Sequence, residues 1–505
     1  MPDNLDAHSA ERCKEHTEAL LESGISLREL WDNFGIVGDI IPFTAEFPRA
    51  DIHELISVDL LHQLIKGTFK DHLVDWTVQY IEETYEPVEA RKILADIDRR
   101  IAVMPPFTGL RNFPVGRGFK QWTGDDSKGL MKVFLPAIAG RVPTQMVQAI
   151  AYFTEFCYLA RRSVIDEDAL QMMETALQNF HQAREAFRLV RPTGFSLPRQ
   201  HSMPHYIPGI RKFAVPNGLC SSITESKHIK AVKKPYRRTN HNNPLGQMLL
   251  TNQRLDKLQA ARVEFKARGM LDGPLIPYIP PPSSPQTKED RRDQGRAISG
   301  PRVDGEVTLA RTYVRRVPKR IDDLAAHFRQ PRLPRLVREF LHGQLYPEVD
   351  ELPDDLDESM DISRLTFRTY NSARALFYAP SDICGIGGMR REHIRATKSW
   401  YGGPPRYDCA LVVHDQDEPG MQGLHAARVR LFFSFKFQEK TYPCALVHWF
   451  SLQDDHPDTE TGMWIVTPDW TRGHHGQQPV LAVVHLDAML RAAHLTPVFG
   501  DDLFP

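Results

Sequence analysis

Ile56-Ser57-Val58-Asp59-Leu60-Leu61-His62-Gln63-Leu64-Ile65-Lys66-Gly67 sets an acid three residues before a histidine at the start of an apolar run. Ser57 is a good N-cap. Leu60, Leu61, Leu64, Ile65, Phe69, Leu73 and Trp76 follow at helical spacing, which predicts a helix with Asp59 and His62 on one face of its first turn. Far downstream, Ser221-Ser222-Ile223-Thr224-Glu225-Ser226-Lys227-His228-Ile229-Lys230 brings a second acid into a basic stretch. Lys227, Lys230, Lys233, Lys234, Arg237 and Arg238 stand there with no acid among them as far as Asn240. Hard carboxylates suit a divalent cation, and clustered Lys and Arg suit a phosphate backbone, so the pair of stretches fits metal-dependent work on a phosphodiester.

Around these stretches the 505-residue chain is long enough for two or three domains. Its composition, 41% hydrophobic and 25% charged, is that of a globular protein. The net charge of −1 gives no overall attraction to nucleic acid, so any such attraction rests on local clustering. Six cysteines lie scattered without a C-x-x-C pair, which excludes a zinc finger and matches reduced thiols. The first residues lack the basic and apolar regions of a secretory signal, and the expected location is nuclear or cytoplasmic.

The stripes Ile93, Leu94, Ile97, Ile101 and Leu170, Met173, Leu177, Phe180, Phe187 predict further helices, with Pro87 near one helix start. A Gly-rich segment with Trp122 and Gly124 enters another helix, which Asp125 and Asp126 would cap. A helix carrying Leu255, Leu258, Ala261 and Phe265 ends at Gly269, and a Pro-rich linker follows over 274–302. Beyond it the period changes to two. Val429, Leu431, Phe433, Phe435 and Phe437 predict a half-buried strand, and short runs at 407–414, 442–450, 463–467 and 480–486 predict a small barrel or sandwich behind helices near 320–328 and 335–345.

Several longer stretches are distinctive. Phe47-Pro-Arg-Ala-Asp-Ile-His-Glu-Leu55 leads into Asp59-Leu-Leu-His62. Gly118-Phe-Lys-Gln-Trp-Thr-Gly-Asp-Asp-Ser-Lys128, Phe195-Ser-Leu-Pro-Arg-Gln-His-Ser202 and Asn217-Gly-Leu-Cys-Ser-Ser-Ile-Thr-Glu-Ser-Lys-His228 follow, then Asn243-Pro-Leu-Gly-Gln-Met-Leu-Leu-Thr-Asn-Gln-Arg-Leu-Asp256, Cys384 to Thr397 and Cys444 to Ser451, together spread over most of the chain. In these the sequence resembles the Plavaka-type transposases, which are related to the CACTA group of cut-and-paste elements. The resemblance implies an RNase H-like core with an Asp-Asp-Glu metal site holding magnesium or manganese. It also implies a helical insertion between the second and third acids, and cleavage and strand transfer of transposon-end DNA. Asp59 matches the second acid and His62 its accompanying histidine, and Glu225 is assigned as the third acid.

The expected architecture is therefore α+β. A mostly helical, partial RNase H-like core spans 1–273 with an insertion over about 80–215, and a C-terminal α+β region spans 303–505 with a barrel-like part over about 380–505. The family's first aspartate lies on a strand ahead of a Cys-x-x-Cys pair, and neither Asp39 nor Asp51 replaces it convincingly. The expectation is an N-terminally incomplete transposase that is inactive in DNA cleavage.

Each site residue also has a plainer reading. Asp59 would favour its helix dipole by about 0.3–1 kcal/mol, His62 would be a hydrogen-bonded core residue, and Glu225 would be an ion-pair partner. Lys227, His228, Lys230, Lys233, Lys234, Arg237 and Arg238 would be a solvated face rather than a DNA-binding strip, and Trp122 a core indole rather than a base-stacking one. His201 and His205 lack an evident third ligand. Tyr442, Trp449, Phe450 and Trp464 read as core, or else as a cation cage in a chromatin-reading or self-association module. The competing whole-chain reading is a non-catalytic DNA- or chromatin-binding protein derived from a transposase. An RNase H-like hydrolase of RNA stays open beside it.

Overall fold

The computed structural model describes residues 14–505 apart from 41–42, 48, 119–121, 272–295, 298–302, 350–351, 354–355, 357–359, 380–388, 401, 474–475, 501–502 and 504–505. The expected linker lies outside the described residues save for 296–297. The chain divides into two compact units, 1–76 with 155–179 and 187–279, and 77–154 with 180–186 and 280–505. The expected insertion over about 80–215 is thus divided, with its part up to 154 and 180–186 grouping with the C-terminal residues and 155–179 and 187–215 with the first unit.

The protein is α+β. In the first unit the described residues form helices and turns without a strand. Ser26 opens the helix Leu27–Phe34 with a capping box to Glu29, and Gly35 closes it at φ 65°. The apolar run forms the helix Leu60–Val74, and Leu60, Leu61, Leu64, Ile65, Phe69 and Leu73 are all buried. Trp76 sits among Phe187 and Phe195, each 5.6 Å from it between ring centres, and His72 stacks on it at 5.2 Å. Tyr206 meets Phe156 edge-on at 5.6 Å. By contrast the helix Pro244–Ala267 buries no residue and leaves Leu245, Leu249, Leu258 and Val263 exposed.

The second unit holds the strands β1 (Arg296–Ala297), β2 (Glu306–Leu309), β3 (Arg368–Tyr370), β4 (Ser372–Tyr378), β5 (Met389–Thr397), β6 (Arg406–Tyr407) and β7 (Cys409–Val413). It continues through β8 (Leu424–Phe437), β9 (Lys440–Leu452), β10 (Val466–Pro468), β11 (Trp470–Gly473), β12 (Gly476–Pro479), β13 (Leu481–His485) and β14 (Met489–Ala493). One antiparallel sheet runs β1-β5-β4-β2 with β6 beside β5. A second runs β10-β9-β8-β7-β14, with β13 paired to β9 and β3 to β8, and β11 and β12 form a separate hairpin. Ala373, Ala375, Phe377 and Ile394 of the first sheet share a core with Ala410, Ala427, Val429 and Ala445 of the second. On its other face the second sheet packs Leu431, Phe433, Phe435 and Leu446 against the helices Ile321–Phe328 and Leu333–Leu345.

This layering corrects the sequence reading of β8 as half-buried. The register shifts between Val429 and Leu431, so Arg430 is an extra residue and the side-chain parity flips there. Val429 faces the sheet-to-sheet core, whereas Leu431, Phe433 and Phe435 face the helices. An alternation of period two continues through the bulge in sequence but changes sides in space, and both faces are covered.

The same unit buries charge. Asp96 accepts from Arg100 and Arg141, each at 2.8 Å, and Arg100 also donates to the carbonyls of Ala139 and Gly500. Among the described cysteines Cys157, Cys220, Cys409 and Cys444 are free and buried, and among the described residues no helix is long and apolar enough to cross a membrane.

Glu392 on β5 is 3% exposed and accepts the Ala492 N–H at 2.7 Å. Burial pushes its carboxyl up to about 7, against the pull of that N–H, Arg491 and Arg390. The folded protein then holds this proton more tightly than the unfolded chain, so unfolding releases it between the ordinary value of 4.5 and about 7. Stability is expected to fall across that window as pH rises, by roughly 2–3 kcal/mol from this group. Urea unfolding at pH 5 and pH 8 should show the loss in the wild-type chain and a smaller one in Glu392→Gln. Equal losses in both contradict the assignment.

Candidate functional site

The helix Leu60–Val74 does not start at Ser57. Asp59 itself is the N-cap, in extended backbone at φ −125° and ψ 110°, and the first helical residue is Leu60. Aspartate caps as well as serine does, and a capping oxygen reaches the second and third helical N–H groups. Here Oδ1 accepts from Leu61 N at 3.3 Å and Oδ2 from His62 N at 3.1 Å. Asp59 N–H donates to Gln63 Oε1 at 2.9 Å, and Tyr206 Oη donates to the same oxygen at 3.3 Å.

The segment around Ser221 closes on this cap. Ser221 N–H donates to Asp59 Oδ1 at 3.0 Å and Ser221 Oγ–H donates to Oδ2 at 2.7 Å. His62 Nδ1 lies 2.7 Å from the same Oδ2 and 2.9 Å from Ser221 Oγ. Asn217 steadies the approach by donating to the Arg161 carbonyl, and Cys220 is buried just before Ser221. From Ser222 the chain turns helical, and this places Glu225 Oε1 3.7 Å from His62 Nε2. With Nδ1–H donated to Asp59, the other ring nitrogen faces Glu225. The folded chain thus aligns Asp59, His62 and Glu225 in that order, with the imidazole between the two acids.

Burial works to raise the Asp59 carboxyl, but the donors from Ser221 and His62 outweigh it and bring the group down to about 2. The side chain of Asp59 is 22% exposed, while those of His62 and Glu225 are 51% and 57% exposed. An ionised carboxylate offers about four lone-pair positions. Leu61 N, His62 N, His62 Nδ1, Ser221 N and Ser221 Oγ already crowd them. A magnesium or manganese ion shared by Asp59 and Glu225 would have to displace some of these donors, so the arrangement does not fit such an ion. Among the described residues no group of three His, Cys, Asp or Glu side chains is set to hold a metal.

The basic stretch is helical over Ser222–Lys227, His228–Lys233 and Lys234–Tyr236. Lys227, His228, Lys230, Lys233, Lys234, Arg237 and Arg238 are all exposed, and none forms an ion pair among the described residues. Asn252 fastens the following helix by donating to the Ala231 carbonyl at 2.8 Å. Trp122 belongs to the other unit and is half-buried just before the helix Gly124–Ile138. Thr123 caps that helix with Asp126 completing the capping box, whereas Asp125 pairs with Lys128 at 3.6 Å. His201 and His205 meet each other, Nε2 to Nε2, at 3.4 Å.

The cage aromatics do not converge. Tyr442 is buried against the helices and Trp449 packs on the sheet-to-sheet core. Phe450 and Trp464 line one cavity of about 610 Å³, where Arg428 already stands 5.4 Å over the Phe450 ring.

Ser221 was not singled out from sequence, and neither were Gln63 and Tyr206. The hydroxyl run Ser221-Ser222 before Glu225 was the available signal. Equally unread was a cationic face on the first sheet of the second unit. There Arg374 lies opposite His393, and Arg391 and Arg395 flank it on the same side of β5. Burial and these three arginines bring His393 down to about 4.

Residues 1–77 match the family model described as Plavaka transposase, and the resemblance to Plavaka-type transposases holds over that stretch. It contains Asp59, His62 and Gly67, while Ser221 and Glu225 lie beyond it. No curated protein and no solved structure matches the chain.

Gly67 lies in the middle of the helix Leu60–Val74, which is π-type along its length. A Cβ there would collide with the His62 carbonyl oxygen and stand 2.5 Å from Arg199 Cδ. Gly67→Ala is expected to destabilise the protein by roughly 1–3 kcal/mol, read as a lower melting temperature. An unchanged melting temperature contradicts the packing described.

Proposed function

We propose that this chain is a transposase-derived DNA-binding protein in which Asp59 holds the old catalytic region together and does not bind a metal. The observation that carries the reading is the commitment of the Asp59 carboxylate to donors from Leu61, His62 and Ser221. Phosphodiester cleavage by two metal ions needs carboxylate oxygens free to bridge them. Glu225 and the Nε2 of His62 would be the remaining groups able to meet a ligand, which is too few for that chemistry. The Plavaka match over residues 1–77 supports the transposase origin.

DNA is the partner that the exposed cations on 227–238 suit. They bring six formal positive charges next to Glu225 and project from consecutive helical turns, a layout that fits phosphates and carries no base readout. Binding through such contacts weakens with salt, at a slope of about 0.9 in log K per phosphate neutralised. Exposed leucines on the helix Pro244–Ala267 support self-association of the same chain as a companion property.

Two assays on the purified chain test this. In a nicking assay on supercoiled DNA carrying transposon ends, with magnesium or manganese, no cleavage is expected. Cleavage that Glu225→Gln abolishes overturns the non-catalytic reading. In fluorescence anisotropy with labelled duplex, Lys230→Gln with Lys233→Gln should weaken binding by roughly tenfold and lower the salt slope by about 2. An unaltered slope removes the strip as the DNA contact.

A further inference from the structure

A second concentration of positive charge lies in the other unit, on the segment Arg311-Thr-Tyr-Val-Arg-Arg-Val-Pro-Lys-Arg320. Two backbone hydrogen bonds fix it beside β3. Val314 N–H donates to the Thr369 carbonyl at 2.7 Å, and Phe367 N–H donates to the Lys319 carbonyl at 2.9 Å. Val317 packs on the core beneath the helices and so anchors the middle of the segment. A cavity of about 150 Å³ lies here, lined by Tyr313, Arg315, Arg316, Lys319, Arg368 and Thr369 among others. That is the space of several waters at about 30 Å³ each, enough for one tetrahedral oxyanion.

Two features of the wall point to an anion. Arg315, Arg316, Lys319 and Arg368 make no ion pair among the described residues, although the Arg368 guanidinium rests 5.5 Å over the Tyr313 ring. All four are exposed, so their charges stand open to an anion at the mouth of the cavity. Arg316 adopts φ 63°, a left-handed conformation that non-glycine residues rarely take, and it lies between the two backbone ties.

We propose that this cavity is a phosphate pocket that grips the phosphodiester backbone of a DNA strand, giving the second unit its own contact with DNA. The proposal rests on the DNA-binding reading above for its occupant and on the cavity alone for its chemistry. Arg315, Arg316 and Lys319 supply charge from the anchored loop, and Arg368 supplies it from β3. A phosphodiester brings one negative charge and two free oxygens, which such a cluster meets without reading base identity.

The test is the salt dependence of duplex binding by the full chain, measured for wild type and for Arg315→Gln with Arg316→Gln. A second variant removes the same charge elsewhere in the unit, Arg335→Gln with Arg472→Gln. The pocket variant should bind roughly tenfold more weakly and lose about 2 from the salt slope, and the charge-matched variant should stay close to wild type. Wild-type binding with an unchanged slope in the pocket variant, or an equal loss in both variants, overturns the pocket and leaves the DNA reading standing. If the wild-type chain does not bind duplex at all, the DNA reading falls and takes the pocket's occupant with it. Calorimetric titration with inorganic phosphate separates the remaining source. Phosphate binding that the pocket variant loses, with no change in its DNA binding, overturns the polynucleotide assignment.

Discussion

One carboxylate holds the first unit's site in register. Asp59 caps the helix that starts at Leu60 and at the same time receives both donors of Ser221, so two segments far apart in sequence share a single acceptor group. Capping alone would be satisfied by any short polar side chain. The added grip on Ser221 requires a charged acceptor with two oxygens, and the drop of the carboxyl to about 2 reflects how strongly the donors favour that charge. His62 and Glu225 owe their meeting to this tie, because one follows Asp59 by a turn and the other follows Ser221 by a turn.

The electrostatics of the two units follow a common pattern. Where acids are buried they are paired, as Asp96 is with Arg100 and Arg141, or pushed toward protonation, as Glu392 is. Where cations gather on an exposed helix or loop they have no carboxylate partner among the described residues, at 227–238 and again at 315–319. A chain with a net charge of −1 thus carries local concentrations of positive charge that its overall balance does not reveal.

Much of this was legible in the sequence. The apolar spacing from Leu60 to Trp76 specified a buried helix face, and the period-two runs found the long strands β8 and β9. The pairing of Asp59 with His62 followed from a separation of three residues. The cap was misplaced by two residues because Ser57 and Asp59 satisfy the same local rule, and only the tertiary hydrogen bond from Ser221 separates them. The bulge at Arg430 was invisible because an extra residue leaves the apolar alternation intact while turning it to the other face. Cross-strand neighbours such as Arg374 and His393 depend on register, which residue spacing does not carry.

The central claim is that Asp59 and Ser221 act as one unit, and a double-mutant cycle measures this directly. Asp59→Asn, Ser221→Ala and the combined variant would be unfolded in urea at neutral pH alongside the wild-type chain. The account predicts that the two changes are not additive, with a coupling of about 1–3 kcal/mol because each residue's cost depends on the other. Costs that add to within about 0.5 kcal/mol would mean that the two residues do not share a bond, and would contradict the account.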